Sequence, residues 1–396
     1  MEFKPIILGT DINAYGVARS FHEKYNLKSI CLGKKPLRYT AHSSIVEVRT
    51  YDDFDKNEKF LEVLDGLSKE FHEKLILISC SDGYTSLISK NKDFLKDKFL
   101  FNYVDHDLQK ALENKKDFYS ICEEYGLNYP KTKVINYENY KNFKCPFDYP
   151  VALKPNDSIE YVKVKFEGKK KAYKIKSEQE LKDVLEKIYK SDYKEELILQ
   201  DFIPGDFSKM YVLNAYVNRA GKVKMMCLGK CLLDECLPHE IGNYNALMTM
   251  GDEEIYKEYK EFLEKINYRG FANFDLKYDE RDGKYKVFEI NIRQGRSSYY
   301  MTGGGCNFTE YIVDDLIYDL DKEPHYHTKK KIWLYVDPYV LKKYANTEDL
   351  PLIKKMLKKG YTFTQWYEKD RNFKRFIDYI KRRLSTIKYY PHYFEK

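Results

Sequence analysis

Asp275, Glu289, Asn291 and Arg293 are the residues whose types and spacing say most about chemistry in this chain of 396 residues. They lie within GFANFDLKYDERDGKYKVFEINIRQGR, from Gly270 to Arg296. This stretch reads as two apolar strands joined by a turn at Asp282-Gly283. Alternation places Ala272, Phe274 and Leu276 on one face, and Asn273, Asp275 and Lys277 on the other. In the second strand Glu289, Asn291 and Arg293 point the same way, because the side-chain period is two. Folding the hairpin brings Asp275 towards Glu289 and Asn291, with Arg293 next in line. Two carboxylates and an amide oxygen suit a hard divalent cation, and a guanidinium beside them suits developing negative charge. The plain alternative is an amphipathic hairpin with a solvated polar face. Glu-x-Asn-x-Arg between apolar residues, followed by a Gly-rich loop, favours a site.

These residues need elements to hold them. Residues 5–8, a helix over 17–25 and residues 29–32 read as a β-α-β unit, continued by strands at 46–48 and 75–79 around a helix over 54–71. The Gly9…Gly16 pair lacks the tight spacing of a dinucleotide loop and reads as a structural turn. Ser81-Asp82-Gly83 follows a strand, where open α/β sheets place ligand loops, although a helix N-cap explains it equally well. A helix over 116–125 stops at Gly126, with Lys115 at its start. Lys154 emerges from the apolar strand YPVALKP and needs an anion or acid beside it. Residues 162–175 read as a hairpin around a Lys-rich turn, and Ser177-x-x-Glu180 as a capping box opening the next helix. ELILQDFIPG, over 196–205, is a strand followed by exposed backbone able to hold an adenine, with Asp206 available to ribose hydroxyls. Hairpin 210–228 and helix 253–266 follow. The run Gly303–Gly305 is expected to precede a helix and to offer main-chain N–H groups to an oxyanion or carboxylate.

Composition bounds the rest. With 43% hydrophobic and 33% charged residues the chain is globular, with room for two or three domains. No apolar run approaches the roughly 20 residues that span a bilayer, and the N-terminus lacks signal-peptide features. The eight cysteines sit mainly in apolar contexts and suggest a reduced, cytoplasmic protein. Cys227, Cys231, Cys236 and His239 match no paired knuckle spacing, so buried thiols rather than zinc are expected there. The 38 tyrosines carry no functional reading. From Tyr326 onward 18 lysines and arginines face 7 acids, so the net charge of +7 combines about +11 there with about −4 elsewhere.

Taken together, Lys115, Lys154, the Gln200–Asp206 segment, Asp275, Glu289, Asn291 and Arg293 resemble the ATP-grasp superfamily over roughly residues 109–321. The resemblance implies an N-terminal parallel α/β domain (1–108), a two-subdomain ATP-grasp fold (109–325, with a lid at about 134–205) that holds ATP between its subdomains, and a basic, partly helical C-terminal extension (326–396). It implies that Lys115 and Lys154 contact phosphates, that Gln200, Asp201, Phe202 and Ile203 line the adenine, and that Asp206 meets the ribose. Asp275, Glu289 and Asn291 would bind magnesium, with manganese as an alternative, and Arg293 would stabilise the transferring phosphoryl group. NKKDFYSICEEYGLNYP, QDFIPGDFSKMYVLNAYV and EINIRQGRSSYYMTGGGCN are similar to the carboxylate–amine ligases of the D-aspartate ligase type, which extend peptidoglycan cross-bridges. Two departures stand out: Asn156-Asp157-Ser158-Ile159, after Lys154, lacks the glycines of other phosphate-covering loops, and Phe207 stands where many relatives carry a ribose-binding acid. The implied reaction is ADP-forming amide synthesis through an acyl-phosphate, from an amino-acid carboxylate donor and an amine acceptor such as a UDP-linked muropeptide. Such chemistry needs charge neutralisation and alignment rather than a protein nucleophile. Arg296, Ser297, Ser298, Gly304 and Gly305 are expected to anchor the donor.

The tail reads as a helix over 370–390 with Phe373, Phe376, Ile377, Ile380, Leu384 and Ile387 on one face. Docking of that face onto the body, with the charges solvated, is the first expectation. Contact with an anionic membrane surface, at the inner face of the membrane, is the second, and binding of a pyrophosphate-bearing acceptor the third. Two alternatives to the ligase are kept: an ATP-grasp enzyme with another acceptor, such as a dipeptide ligase or carboxylase, and a nucleic-acid-binding protein. The absence of any RRM, KH or zinc signature argues against the latter, and no nucleic acid is expected.

Overall fold

The computed structural model describes residues 2–394, Asp157 and His239 excepted. Strands β1 (Phe3–Leu8), β2 (Ser29–Gly33), β3 (Val46–Thr50) and β4 (Lys74–Ser79) form a parallel sheet of order β3-β2-β1-β4. β1, β2 and β4 are largely apolar runs, as strands covered on both faces require, whereas the edge strand β3, VEVRT, alternates; Ile6, Ile7, Leu8 and Leu32 are fully buried.

β5 (Thr132–Ile135), β6 (Val151–Pro155), β7 (Tyr173–Ile175) and β8 (Leu197–Asp201) form an antiparallel sheet of order β5-β8-β6-β7. Helix Glu178–Lys190 covers it with Leu181, Leu185 and Ile188, and starts where Ser177 accepts the Glu180 N–H. The remaining strands are β9 (Met210–Val217), β10 (Val223–Asp234), β11 (Tyr244–Met250), β12 (Gly270–Asp279), β13 (Lys284–Asn291), β14 (His325–His327), β15 (Ile332–Leu334) and β16 (Tyr361–Phe363). They form one sheet of order β13-β12-β9-β10-β11-β15-β16, with β14 beside β10.

The chain divides into two compact units: residues 1–109, 206–275 and 291–396 in the first, and 110–205 and 276–290 in the second.

Three expectations change. Residues 162–175 are no hairpin: a short helix, Ser158–Lys163, leads through a turn to β7, which pairs with β6. The C-terminal part is more than a helical extension, because β15 and β16 continue the large sheet. The last helix, Phe373–Tyr393, presents the opposite face to that expected. Arg375, Arg382, Thr386, Tyr389 and Tyr390 are buried, while Phe373 is 76% and Leu384 60% exposed. The reason is the surface it meets. Arg375 lies over the Tyr15 ring and 3.2 Å from Asp370, and Arg382 lies over Tyr335 and 3.6 Å from Glu235. Rings and acids reward guanidinium stems more than aliphatic side chains.

Gly270, which opens β12, has φ +85°, and a Cβ there would stand 2.1 Å from the Asn102 carbonyl oxygen. Gly66 lies inside helix Asn57–Glu70 with no heavy atom within 4 Å of its would-be Cβ. Gly270→Ala should therefore lower the urea midpoint by the equivalent of more than about 1–3 kcal/mol. Gly66→Ala should raise it by roughly 0.5–1 kcal/mol.

Candidate active site

β12 and β13 position the hairpin residues, and a row of amides fixes their orientation. Asn291 Nδ2 donates to Asn273 Oδ1 at 3.1 Å, and Asn273 Nδ2 donates to Asn214 Oδ1 at 3.2 Å. Asn214 Nδ2 in turn donates to the Tyr300 hydroxyl, which donates to the Cys227 carbonyl. Asn214 and Asn273 are buried, so the row runs in a single direction. With Nδ2 engaged, Asn291 keeps its Oδ1 for another partner. Asp275 accepts from the Tyr244 hydroxyl at 2.7 Å through Oδ1, and its Oδ2 stands 3.5 Å from Asn291 Nδ2. Glu289, two residues before Asn291 on β13, is exposed in the second unit. All these groups offer oxygen, the donor set of magnesium or manganese rather than of zinc.

Arg293 lies beyond the end of β13, so a strand does not aim it. The loop after β13 is tied instead to the carboxyl ends of β1 and β4. Gln294 donates to the Ser79 carbonyl at 2.8 Å, and Asn13 donates to the carbonyls of Cys80 and Gln294 at 3.1 and 3.2 Å. Ser298 donates to Asn13 at 3.3 Å. Arg293 Nε then sits 2.7 Å from Asp82 Oδ1, and its Nη2 donates to Oδ2 at 2.9 Å. Burial raises the Asp11 carboxyl above the ordinary aspartate range, against the Ala14 N–H and the charges of Arg293 and Arg296.

Arg296 donates to Glu240 at 2.9 Å and to the Tyr244 carbonyl at 3.3 Å, over the face of Tyr335 at 4.5 Å. Its Nε is buried without a hydrogen-bond partner among the described residues. Arg382 lies 4.1 Å from the same Tyr335 ring, so the last helix helps to build the seat of Arg296. Asn13, Gln294, Tyr335 and Glu240 escaped the sequence reading. Asn13 lies in the segment read as a turn between Gly9 and Gly16, which is the start of helix Ile12–Tyr25.

In the second unit Lys154 stands half-buried at the end of β6, with its Nζ 4.8 Å from the Phe288 ring centroid. Desolvation lowers its pKa to about 8; Glu289 opposes the shift, and Lys115 and Lys171 add to it. Lys115 opens helix Lys115–Tyr125, behind the Asn114 cap. Gln200 is buried on β8, with Nε2 on Thr132 at 3.1 Å and Oε1 without a partner among the described residues. Asp201 is paired with Arg281 at 2.7 Å, Lys174 lies over the Phe202 ring, and the Ile203 carbonyl accepts from Lys277.

The chain is 45% identical to the D-aspartate ligase of Enterococcus faecium (strain Aus0004) over 391 residues, covering 95% of this chain and 93% of that one. It belongs to the D-aspartate ligase family of ATP-grasp enzymes. No protein-family model matches. Among solved structures, an L-amino acid ligase from Bacillus licheniformis superposes with TM-score 0.55 at 16% identity, covering 80% of this chain and 74% of that one. The biotin carboxylase domain of Hydrogenobacter thermophilus 2-oxoglutarate carboxylase, in complex with Mg-ADP, does so with TM-score 0.59 at 14% identity, covering 83% and 73%. At such identities the likeness shows the fold alone.

Within this family member, several expected contacts are already occupied. Asp206 caps the turn Phe207–Lys209 and accepts from Asn346 at 2.9 Å. Burial would raise its carboxyl, yet the bonds from Ser208 and Asn346 hold it below the usual range. A helix, Thr309–Val313, does follow Gly304 and Gly305, but the two glycines do not open it: they end the preceding one, Tyr299–Gly304. The Gly305 N–H donates to the Thr302 carbonyl, and a helix C-terminus disfavours anions. Ser297 and Ser298 are buried beneath the loop. Asn156, at the start of the loop after Lys154, accepts the Lys116 N–H, and Asp157 lies outside the described residues. Cys227 and Cys231 are buried thiols of β10, Cys236 is half-buried, and His239 lies outside the described residues.

Since Glu289 holds the Lys154 ammonium up, Glu289→Gln should move its titration further below about 8. Side-chain NMR of labelled lysine in the nucleotide-free protein checks this; an unchanged or raised midpoint contradicts the pairing.

Proposed function

We propose that this ATP-dependent carboxylate–amine ligase joins D-aspartate to an amine of a peptidoglycan precursor peptide. The observation that carries the reading is the 45% identity to a D-aspartate ligase along nearly the whole chain. A free carboxylate is too poor an electrophile for an amine at neutral pH. Transfer of the γ-phosphoryl group of ATP to a carboxylate oxygen yields an acyl-phosphate and ADP. The amine then attacks the carbonyl carbon, phosphate leaves, and the amine loses a proton. Magnesium, when bound, neutralises phosphate charge and aligns the reacting oxygens.

The chain's own residues have matching roles in this reading. Asp275, Glu289 and Asn291 hold the cation, with Asn291 turned outward by the amide row. Lys115 and Lys154 hold phosphates, and Lys154, already partly desolvated, has less water to lose on binding. Gln200, through its unpartnered Oε1, and the main chain to Ile203 receive the adenine. Asp206 reaches the ribose only by leaving Asn346. Arg293 exchanges Asp82 for the transferring phosphoryl group. Arg296 offers its unpartnered Nε to the second carboxylate of aspartate; Ser297 and Ser298 support the loop, and Gly304 and Gly305 end the helix behind it.

The exposed face of the last helix supports contact with an anionic membrane surface, where lipid-linked wall precursors are made. Phe373, Phe376 and Leu384 are exposed there beside Lys374, Lys381 and Lys388. No described helix is long and apolar enough to cross a membrane.

Glu289→Ala should abolish ADP formation with every substrate pair. Arg296→Ala should raise KM for aspartate about tenfold to a hundredfold, since charge-assisted bonds contribute about 1.5–3 kcal/mol. A phosphate-release screen of D- and L-amino acids against UDP-linked muropeptides and simple amines tests the pairing. Release that depends on bicarbonate or a free amino acid as acceptor would sink it. Co-sedimentation with anionic vesicles should be lost in Phe373→Ser/Leu384→Ser and with neutral vesicles.

A further inference from the structure

Away from the oxygen ligands of β12 and β13, three side chains converge that no step of the ligation uses. Cys306, His325 and His327 bring one thiol and two imidazoles together with their ligand atoms all within 4.8 Å of one another. Cys306 directly follows Gly305, the left-handed residue ending helix Tyr299–Gly304. His325 and His327 are the first and last residues of β14, and alternation turns both to one side of that strand. Cys306 and His327 are each 2% exposed, whereas His325 is exposed.

A second observation points to a ligand. His327 Nε2 lies 3.0 Å from the Lys329 carbonyl. A carbonyl only accepts, so this bond places the ring proton on Nε2 and leaves the lone pair on Nδ1. Nδ1 has no hydrogen-bond partner among the described residues. Holding one ring nitrogen on a backbone carbonyl while the other carries a metal is the usual arrangement of a ligating histidine. The His325 ring stacks on Tyr311 at 6.3 Å between centroids, which restrains the second imidazole. One thiolate and two imidazoles form a borderline-soft set that suits zinc and suits magnesium poorly.

We propose that Cys306, His325 and His327 bind a zinc ion, with the fourth position open to solvent beside His325. β14 is held to β10 over three residue pairs, Met225–Cys227 with His325–His327. The exposed crossing before it, residues 319–324, has no strand or helix. Zinc would therefore close the chain between positions 306 and 325 and pin this crossing to the end of the helix that follows the Arg293–Arg296 loop. The ion would brace the fold there and take no part in the transfer. The spacing of the three ligands hides the set from a sequence motif, because 18 residues lie between Cys306 and the first histidine.

The test uses the full chain, stripped of metal with a chelator and titrated with zinc against a competing chromophoric chelator, and with cobalt for spectroscopy. One zinc per chain should bind with a dissociation constant of about 1 μM or tighter. Cobalt should give a thiolate charge-transfer band and the intense visible bands of a tetrahedral site. Cys306→Ser and His327→Gln should weaken zinc by more than about 100-fold, beyond what loss of an outer-shell partner costs. The exposed His325→Ala should do the same without disturbing the fold, as judged by circular dichroism. Cys236→Ser should change nothing. Saturating zinc should raise Tm of the parent protein and not of His325→Ala. No stoichiometric zinc below about 100 μM, no thiolate band with cobalt, or affinity unchanged in His325→Ala would each overturn the proposal.

Discussion

The constraint on which the first unit depends is the partial burial of two guanidinium groups, Arg293 and Arg296, in one short loop. An isolated cation in such a place costs several kcal/mol, so each must be met by acids, carbonyls or rings. Asp82 and the Gln294 carbonyl meet Arg293; Glu240, the Tyr244 carbonyl and the Tyr335 ring meet Arg296. Those partners come from the helix after β4, from the segment before β11 and from the strand region after β15. The loop can hold its shape only when distant parts of the chain have already come together.

This requirement gives the C-terminal part its purpose. Tyr335 has Arg296 on it at 4.5 Å and Arg382 at 4.1 Å, and Tyr389 donates to Glu235 beside Arg382. Both guanidinium groups thus share the Tyr335 ring, and each has an acid beside it, Glu240 for Arg296 and Glu235 for Arg382. The helix Phe373–Tyr393 therefore buries its arginines and tyrosines and leaves Phe373 and Leu384 in solvent. A hydrophobicity pattern taken alone points the helix the other way, because it carries no information about the surface to be covered.

The amide row from Asn291 to Tyr300 works on the same principle at lower charge. Each amide has a donor end and an acceptor end, and burial forbids leaving either unused. Asn214 and Asn273 thereby decide which end of Asn291 is free, without touching a ligand. In the second unit Glu289 supplies the counter-charge that keeps Lys154 protonated in a desolvated position. In the first case the orienting residues, Asn214 and Tyr300, lie outside the Glu-x-Asn-x-Arg stretch; in the second the counter-charge, Glu289, lies within it.

The sequence by itself determined the opening β-α-β alternation, the turn at Asp282-Gly283 and the grouping of Asn273 with Asp275 and of Glu289 with Asn291. Each follows from local steric rules with a period of two or 3.6 residues. It also carried the family resemblance, through the order of Lys115 at a helix start and of Lys154, Gln200, Asp275, Glu289 and Asn291 on strands. Only the tertiary structure decided that Arg293 leaves the strand to meet Asp82, that Gly304 and Gly305 close a helix instead of opening one, and that β15 and β16 join the large sheet. The same holds for the convergence of Cys306 with His325 and His327. These outcomes rest on pairings between residues tens to hundreds of positions apart. Such pairings are set by which buried charge, ring or carbonyl finds a partner, and no local pattern encodes that.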